Sequence, residues 1–197
     1  MGTETKNANK VKTILVSQPK PDGEKSPYFD LAKKQKLKID FRTFIHVEGL
    51  TAQEWRKQRI QILDNSAVIF TSRNAVDHFF RLCGETRVTV PETMKYFCMS
   101  EAIAFYLQKY VVYRKRKIFV GERKFADLMP LIKKHGSEGF LLPSADKLKE
   151  DITNQLEAAE IRYTRGIFYR TVISDLSDLE DVKYDMLVFF SPSGIKS

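Results

Sequence analysis

The chain is short of the residues that most often mark a reactive site. Its 197 residues include two cysteines, three histidines and one tryptophan. Cys83 and Cys98 lie in apolar stretches without metal-ligand spacing, which reads as two buried free thiols rather than a zinc site or a disulfide framework. With so few histidines and no HExxH, no metal is expected. GxSxG, the P-loop and a GxGxxG after a strand are also absent, so the usual hydrolase and nucleotide readings lack support. The longest apolar runs, such as Met186 to Phe190, fall far short of the roughly 20 residues that span a bilayer. The N-terminal MGTETKNANKVK has no apolar signal-peptide core. These absences predict a cytoplasmic protein without membrane contact and with a disordered head.

What is present is an ordinary globular composition, 43% hydrophobic, with a formal charge of +8 from 33 Lys plus Arg against 25 Asp plus Glu. That excess favours anionic partners. The basic runs Lys33 to Lys38, Arg114 to Lys117 and Lys133 to His135 are scattered, each readable as a solvated face. Nucleic-acid binders gather such residues on one element and interleave aromatics for stacking, which is not evident here.

Strand-like and helix-like segments alternate along the chain. Thr13 to Ser17 reads as a strand, Pro27 to Lys36 as a helix, and Leu37 to Val47 as one long alternating strand. Thr51 caps a helix carrying Trp55, Ile62 and Leu63. Strand Ala67 to Phe70 leads to a helix with Ala75, Val76, Phe79, Phe80 and Cys83 on one face, ended by Gly84. Then come strand Lys95 to Met99, a helix from Ser100 to about Tyr110, and strand Lys117 to Val120. An amphipathic helix around Phe125 to Ile132 contains Pro130, which predicts a kink or a late start. Strand Gly139 to Leu142 passes through Pro143 and Ser144 into a helix with Leu148, Ile152 and Leu156. Ile161 to Ile173 is a second long alternating strand, with Tyr163, Ile167 and Tyr169 on one side, and Asp185 to Phe190 is the last strand.

Such repetition implies α/β architecture with parallel sheets covered by helices. The two long strands bracket the middle of the chain, so a domain of residues 45–168 is expected to be inserted into an outer domain of 1–44 and 169–197. Two domains explain a doubled phrase: VIFTSRNAV at Val68 to Val76 is nearly restated as VFFSPSGI at Val188 to Ile195. Ligands of open α/β sheets bind beyond the carboxyl ends of strands, where helix N-termini offer free N–H groups. Four turns qualify: Thr71, Ser72 and Arg73; Ser100; Pro143 to Asp146, including Ser144; and Ser191, Ser193 and Gly194. The other reading of each turn is that its hydroxyl caps a helix and does nothing more.

VIFTSRNAV, LLPSADKL, the aromatic strand IFYRTV and VFFSPSGI, in that order and at that spacing, resemble the uroporphyrinogen-III synthase family, over most of the chain from Thr13 onward. The resemblance implies two flavodoxin-like parallel-sheet domains, one inserted into the other, joined by a two-stranded ladder with a cleft between. It implies a monomer that takes hydroxymethylbilane, a linear tetrapyrrole with acetate and propionate arms, closes it and inverts its last ring without any cofactor. Tyr169 matches the family's favoured proton donor to the leaving hydroxyl; packing against the ladder is the other reading. Thr71, Ser72, Ser191, Ser193 and Gly194 match its substrate-holding loops, and Lys147 and Lys149 stand where basic residues often follow the Pro143 turn, for carboxylate contacts or, on the other reading, simply on a solvated helix face.

The family's Val-Gly-x-x-Thr-Ala turn is replaced by Met99 to Ala104, and Ala145 stands where glycine is common. Family members continue beyond SPSG, so the expectation is a fragment with an incomplete outer domain. The reading from another class is a non-catalytic module that binds a small anion and signals by closing.

Overall fold

A computed structural model describes residues 11–23 and 25–190. The N-terminal head and Ser191, Ser193 and Gly194 lie outside the described residues. Contacts divide the chain into two compact units, Met1–His46 with Val172–Ser197, and Val47–Thr171. Among the described residues no helix is long and apolar enough to cross a membrane.

The first unit contains a parallel three-stranded sheet of order β2-β1-β9, made from β1 (Thr13–Val16), β2 (Lys38–Phe41) and β9 (Met186–Val188). Between β1 and β2 runs α1 (Pro27–Gln35), capped by Ser26 with Pro27 in its first turn, where a missing N–H is no loss. Asp185 anchors β9 to β1, its Oδ2 accepting from the amides of Lys12 and Thr13 at 2.8 and 2.9 Å. Among the described residues, Met186 and Leu187 of β9 are 44% and 52% exposed.

The second sheet has order β3-β8-β7-β4-β5-β6. Its strands are β3 (Ile45–Gly49), β4 (Ala67–Phe70), β5 (Lys95–Cys98), β6 (Ile118–Val120), β7 (Phe140–Ala145) and β8 (Tyr163–Ile173), and β4 to β8 pair in parallel. The helices are α2 (Ala52–Lys57), α3 (Arg73–Glu85), α4 (Glu101–Leu107), α5 (Phe125–Lys134) and α6 (Glu150–Ala158). Alternation along the strands sends Val68, Phe70, Tyr96, Cys98 and Leu141 into a core with α3 and α4. Ala67, Ile69, Phe97, Phe140 and Leu142 face α5 and α6. Burial on both faces is why these strands read as continuous apolar runs.

The mixed α/β class with parallel sheets is as expected. Counted from β4, the order of the parallel strands is 3-2-1-4-5, not the flavodoxin order 2-1-3-4-5, and the winding reverses between β4 and β7. Ligands of such sheets sit at that switch point, beyond the carboxyl ends of the two strands.

Several element boundaries differ from expectation. The long strand Leu37 to Val47 is two strands, β2 and β3, placed in different sheets and separated at residues 42–44. Phe44, buried at the break, makes an edge-to-face contact with Phe189 at 5.4 Å. The helix capped by Thr51 ends at Lys57; Ile62 and Leu63 belong to a separate 3-10 turn, and Leu63 is exposed. Gly84 is inside the last turn of α3, which ends at Glu85. Helix α4 stops at Leu107, short of Tyr110. Helix α5 starts at Phe125 and continues through Pro130.

Candidate active site

At the switch point, β4 ends at Phe70 and Ser72 becomes the N-cap of α3. The Ser72 hydroxyl accepts from the Ala75 amide at 3.1 Å, which fixes the direction in which the helix leaves the sheet. The amides of Arg73 and Asn74, in the first turn, have no partner among the described residues. Thr71 is half-buried beside them, while Arg73 is exposed, its guanidinium 5.4 Å from the centre of the Tyr106 ring.

Tyr169 reaches this cap from β8. Strands β7 and β8 pair regularly as far as Ser144 and Ile167, but the next pair is Ala145 with Tyr169, which skips Phe168. This bulge in β8 breaks the alternation that would send neighbouring residues to opposite faces. Phe168, 0% exposed, and Tyr169, 8% exposed, consequently enter the same core. Tyr169 Oη lies 3.1 Å from Ser72 Oγ. Burial raises the phenol pKa above its ordinary value of 10, and the hydrogen bond from Ser72 offsets part of the rise. The phenol is therefore protonated at neutral pH.

His78, one helical turn and a half along α3, stacks on the Tyr169 ring at 5.1 Å and 23°. Arg81 Nε donates to His78 Nδ1 at 3.3 Å, and Arg81 Nη2 donates to the Leu50 carbonyl at 2.7 Å. Burial first, then the Arg81 charge, lowers the His78 pKa, so the ring against the phenol is a neutral imidazole.

Ser144 does not lie in a turn. It is a fully buried residue of β7, whose hydroxyl donates to backbone carbonyls at Ala145 and Gly166 and accepts from Arg165 Nε at 3.0 Å. Arg165 also donates through Nη2 to the carbonyls of Ala145 and Asp146 at 3.0 and 2.8 Å, which pins the end of the strand. The loop at the carboxyl end of β7 is thus Asp146 to Lys149. Lys147 and Lys149 are exposed there, and neither ammonium has a partner among the described residues. Ser100 is the N-cap residue of α4 beyond the neighbouring β5, but its hydroxyl makes no capping bond.

Ser72 and Tyr169 are thus brought together, with Thr71 and Arg73 flanking Ser72 in the chain, and Lys147 and Lys149 belong to the loop after the neighbouring strand β7. His78 and Arg165 were missed by sequence reasoning. One is an isolated histidine on an amphipathic helix and the other an isolated arginine in a strand, and neither type in that setting signals a partner distant in sequence. Among the described residues no cluster of His, Cys, Asp and Glu could hold a metal ion.

The family model for uroporphyrinogen-III synthase HemD matches residues 33–197. No curated protein matches significantly. Similar solved structures include uroporphyrinogen-III synthetase from Helicobacter pylori, 18% identical with a TM-score of 0.55, covering 94% of this chain and 76% of that one. A mutant uroporphyrinogen III synthase from Thermus thermophilus is 14% identical with a TM-score of 0.58, covering 83% of this chain and 64% of that one. A further Thermus thermophilus structure of the enzyme is 15% identical with a TM-score of 0.53, covering 94% and 76%.

Proposed function

Because the chain belongs to the uroporphyrinogen-III synthase family, we propose that it is a cyclising hydro-lyase of tetrapyrrole biosynthesis acting on hydroxymethylbilane, with Tyr169 as its proton donor. The observation that carries the role of Tyr169 is its protonated phenol held against the capped N-terminus of α3. Ser72 Oγ accepts from the Ala75 amide, and of the two directions open to its bond with Tyr169 Oη we assign the one in which Ser72 donates. That arrangement leaves the phenolic proton for the substrate. A group that stays protonated at working pH suits general acid catalysis.

In the proposed reaction the carbon–oxygen bond of the hydroxymethyl group breaks, while the electron pair of the adjacent pyrrole nitrogen stabilises the cationic carbon as an azafulvene. The departing hydroxide takes the Tyr169 proton and leaves as water. The substituted carbon of the terminal ring attacks the azafulvene to give a spiro intermediate. Fragmentation and reclosure invert that ring and release the proton that restores the phenol.

Carboxylate arms are proposed to meet the free amides of Arg73 and Asn74, the Thr71 hydroxyl, the Ser100 turn, and Lys147 and Lys149. Ser191, Ser193 and Gly194 are assigned to the same task from the family motif. The role assigned to Ser144 is to anchor Arg165, because its hydroxyl is already engaged. We further read the two units as α/β domains, the second inserted into the first, with the paired β3 and β8 as the connecting ladder. The two free, buried cysteines fit a reducing cytoplasm, and a monomer is the proposed working form. Separation of the uroporphyrinogen isomers formed from hydroxymethylbilane tests the proposed activity.

A further inference from the structure

At the amino end of the second sheet, opposite the loops of the switch point, a cavity of 420 Å³ opens between the last turn of α3, the segment after α4 and the approach to β5. Its volume falls within the roughly 300–1,000 Å³ of small-molecule sites. Phe80, Cys83, Val90, Tyr96, Tyr110 and Ile118 form an apolar wall. The rings of Phe80 and Tyr110 stack at 4.5 Å and 4°, and Tyr110 is fixed by donating to Asp77 Oδ1 at 2.7 Å. The wall is dry enough for burial to push the Cys83 thiol and the Tyr96 phenol each up to about 12.

Arg114 and Lys117 also line the cavity. Arg114 Nη1 is 3.2 Å from the exposed Glu92 carboxylate, whereas Lys117 Nζ, among the described residues, donates to the Glu92 backbone carbonyl and meets no carboxylate. Two cations therefore stand against one carboxylate at an apolar wall. Gly84 supplies an independent observation. It lines the cavity from inside the last turn of α3, its φ is not positive, and a Cβ there would meet no atom within 4 Å. Glycine weakens a helix relative to alanine. A side chain here would favour the helix and fit without collision at the exposed rim of the cavity.

We propose that this cavity is a binding site for an amphipathic monocarboxylate, its aliphatic or single-ring body against Phe80, Tyr96 and Tyr110 and its carboxylate on Lys117 and Arg114. A tetrapyrrole does not suit it, since an apolar wall with two cations cannot compensate the desolvation of a carboxylate on every arm. The site is separate from the reaction proposed above and stands whether or not that reaction is observed.

Octanoate, octanol and octylammonium, titrated calorimetrically into the full chain, test it. Octanoate is expected to bind saturably at one site, with octanol weaker and octylammonium silent. Replacing Arg114 and Lys117 together by alanine should weaken octanoate roughly tenfold or more, as loss of charge-assisted bonds implies. Gly84→Leu, at the rim of the cavity, should weaken binding while leaving the melting temperature unchanged or higher. As a check independent of that variant's folding, octanoate should shift the amide resonances of Phe80 to Gly84 and Val111 to Lys117 in the unmodified protein and leave those of Ser72 and Tyr169 in place. Absence of saturable octanoate binding, equal binding of octylammonium, undiminished binding by a folded Gly84→Leu, or shifts centred on Ser72 would each overturn the proposal.

Discussion

Tyr169 Oη and Ser72 Oγ, 97 residues apart in the chain, meet at 3.1 Å because a bulge in one strand turns the tyrosine onto the core face where the other strand hands over to its helix. The Ser72 hydroxyl thereby serves two structures at once, capping α3 through the Ala75 amide and orienting the phenol.

Ser72→Ala should therefore lower both stability and turnover. Loss of the cap costs about 1 kcal/mol, which for a chain of this size lowers the melting temperature by roughly 2–4 °C. Steady-state kinetics on the fully folded variant should still show reduced kcat. Ser72→Thr, which keeps a hydroxyl at the cap, should retain most of both; equal kcat for the alanine and threonine variants would remove the orienting role.

For Tyr169→Phe the expected signature is different. Turnover should fall by up to about 10²-fold with little change in KM, since general acid assistance is worth about 10²–10⁴-fold and this substrate loses its hydroxyl readily. Stability should change little, by about the 1 kcal/mol of a single hydrogen bond. A phenylalanine variant with wild-type kcat would contradict the assignment.

His78 is predicted to position the phenol by its ring rather than by its charge. His78→Phe, which preserves the stack, should keep most of the activity, and His78→Ala should lower kcat more than it raises KM. Equal kinetics for the two variants would count against a positioning role.

Much of the second unit was legible in the sequence, because strands buried on both faces and helices with one apolar face leave plain periodic patterns. Ala67 to Phe70 followed by the Ala75, Val76, Phe79 and Cys83 face needed no distant information. The break between β2 and β3 was hidden, since alternation persists through Arg42 to Phe44 while the pairing partner changes. The bulge was hidden for a related reason. Whether Phe168 and Tyr169 share a face is decided by how β8 pairs with β7, and their own order in the chain predicts that they do not. Ser144 resembled a turn residue because Pro143 precedes it, yet Arg165, from the neighbouring strand, holds it inside the sheet.

Acid should weaken the Thr51 capping box. Its Glu54 carboxylate accepts from the Thr51 amide and hydroxyl and from Arg170, which lower its pKa from 4.5 to about 2. A depressed pKa contributes stability above the unfolded value that is lost as pH falls from 4.5 towards 2. Denaturant titrations across that window should show a shallower pH dependence for Glu54→Gln than for the wild type, and identical slopes would refute the linkage.

Gly166→Ala should disturb the support beneath Tyr169. A Cβ there would lie 2.8 Å from Phe168 Cε2 and 2.9 Å from Trp55 Cη2, both ring atoms of packed side chains. Overpacking of this kind typically costs about 1–3 kcal/mol. Urea unfolding should show a reduced midpoint without a changed slope, and an unchanged midpoint would mean that the rings move aside freely.

The most direct test of the central claim is the isomer composition of the uroporphyrinogen formed from hydroxymethylbilane, with the wild type and Tyr169→Phe assayed side by side. The account predicts predominantly isomer III with the wild-type chain, formed faster than spontaneous closure, and a marked shift toward isomer I with the variant as the slowed enzyme competes with the uncatalysed reaction. Isomer I alone from the intact, folded wild-type protein would contradict the assigned activity, and undiminished isomer III from the variant would contradict the role of Tyr169.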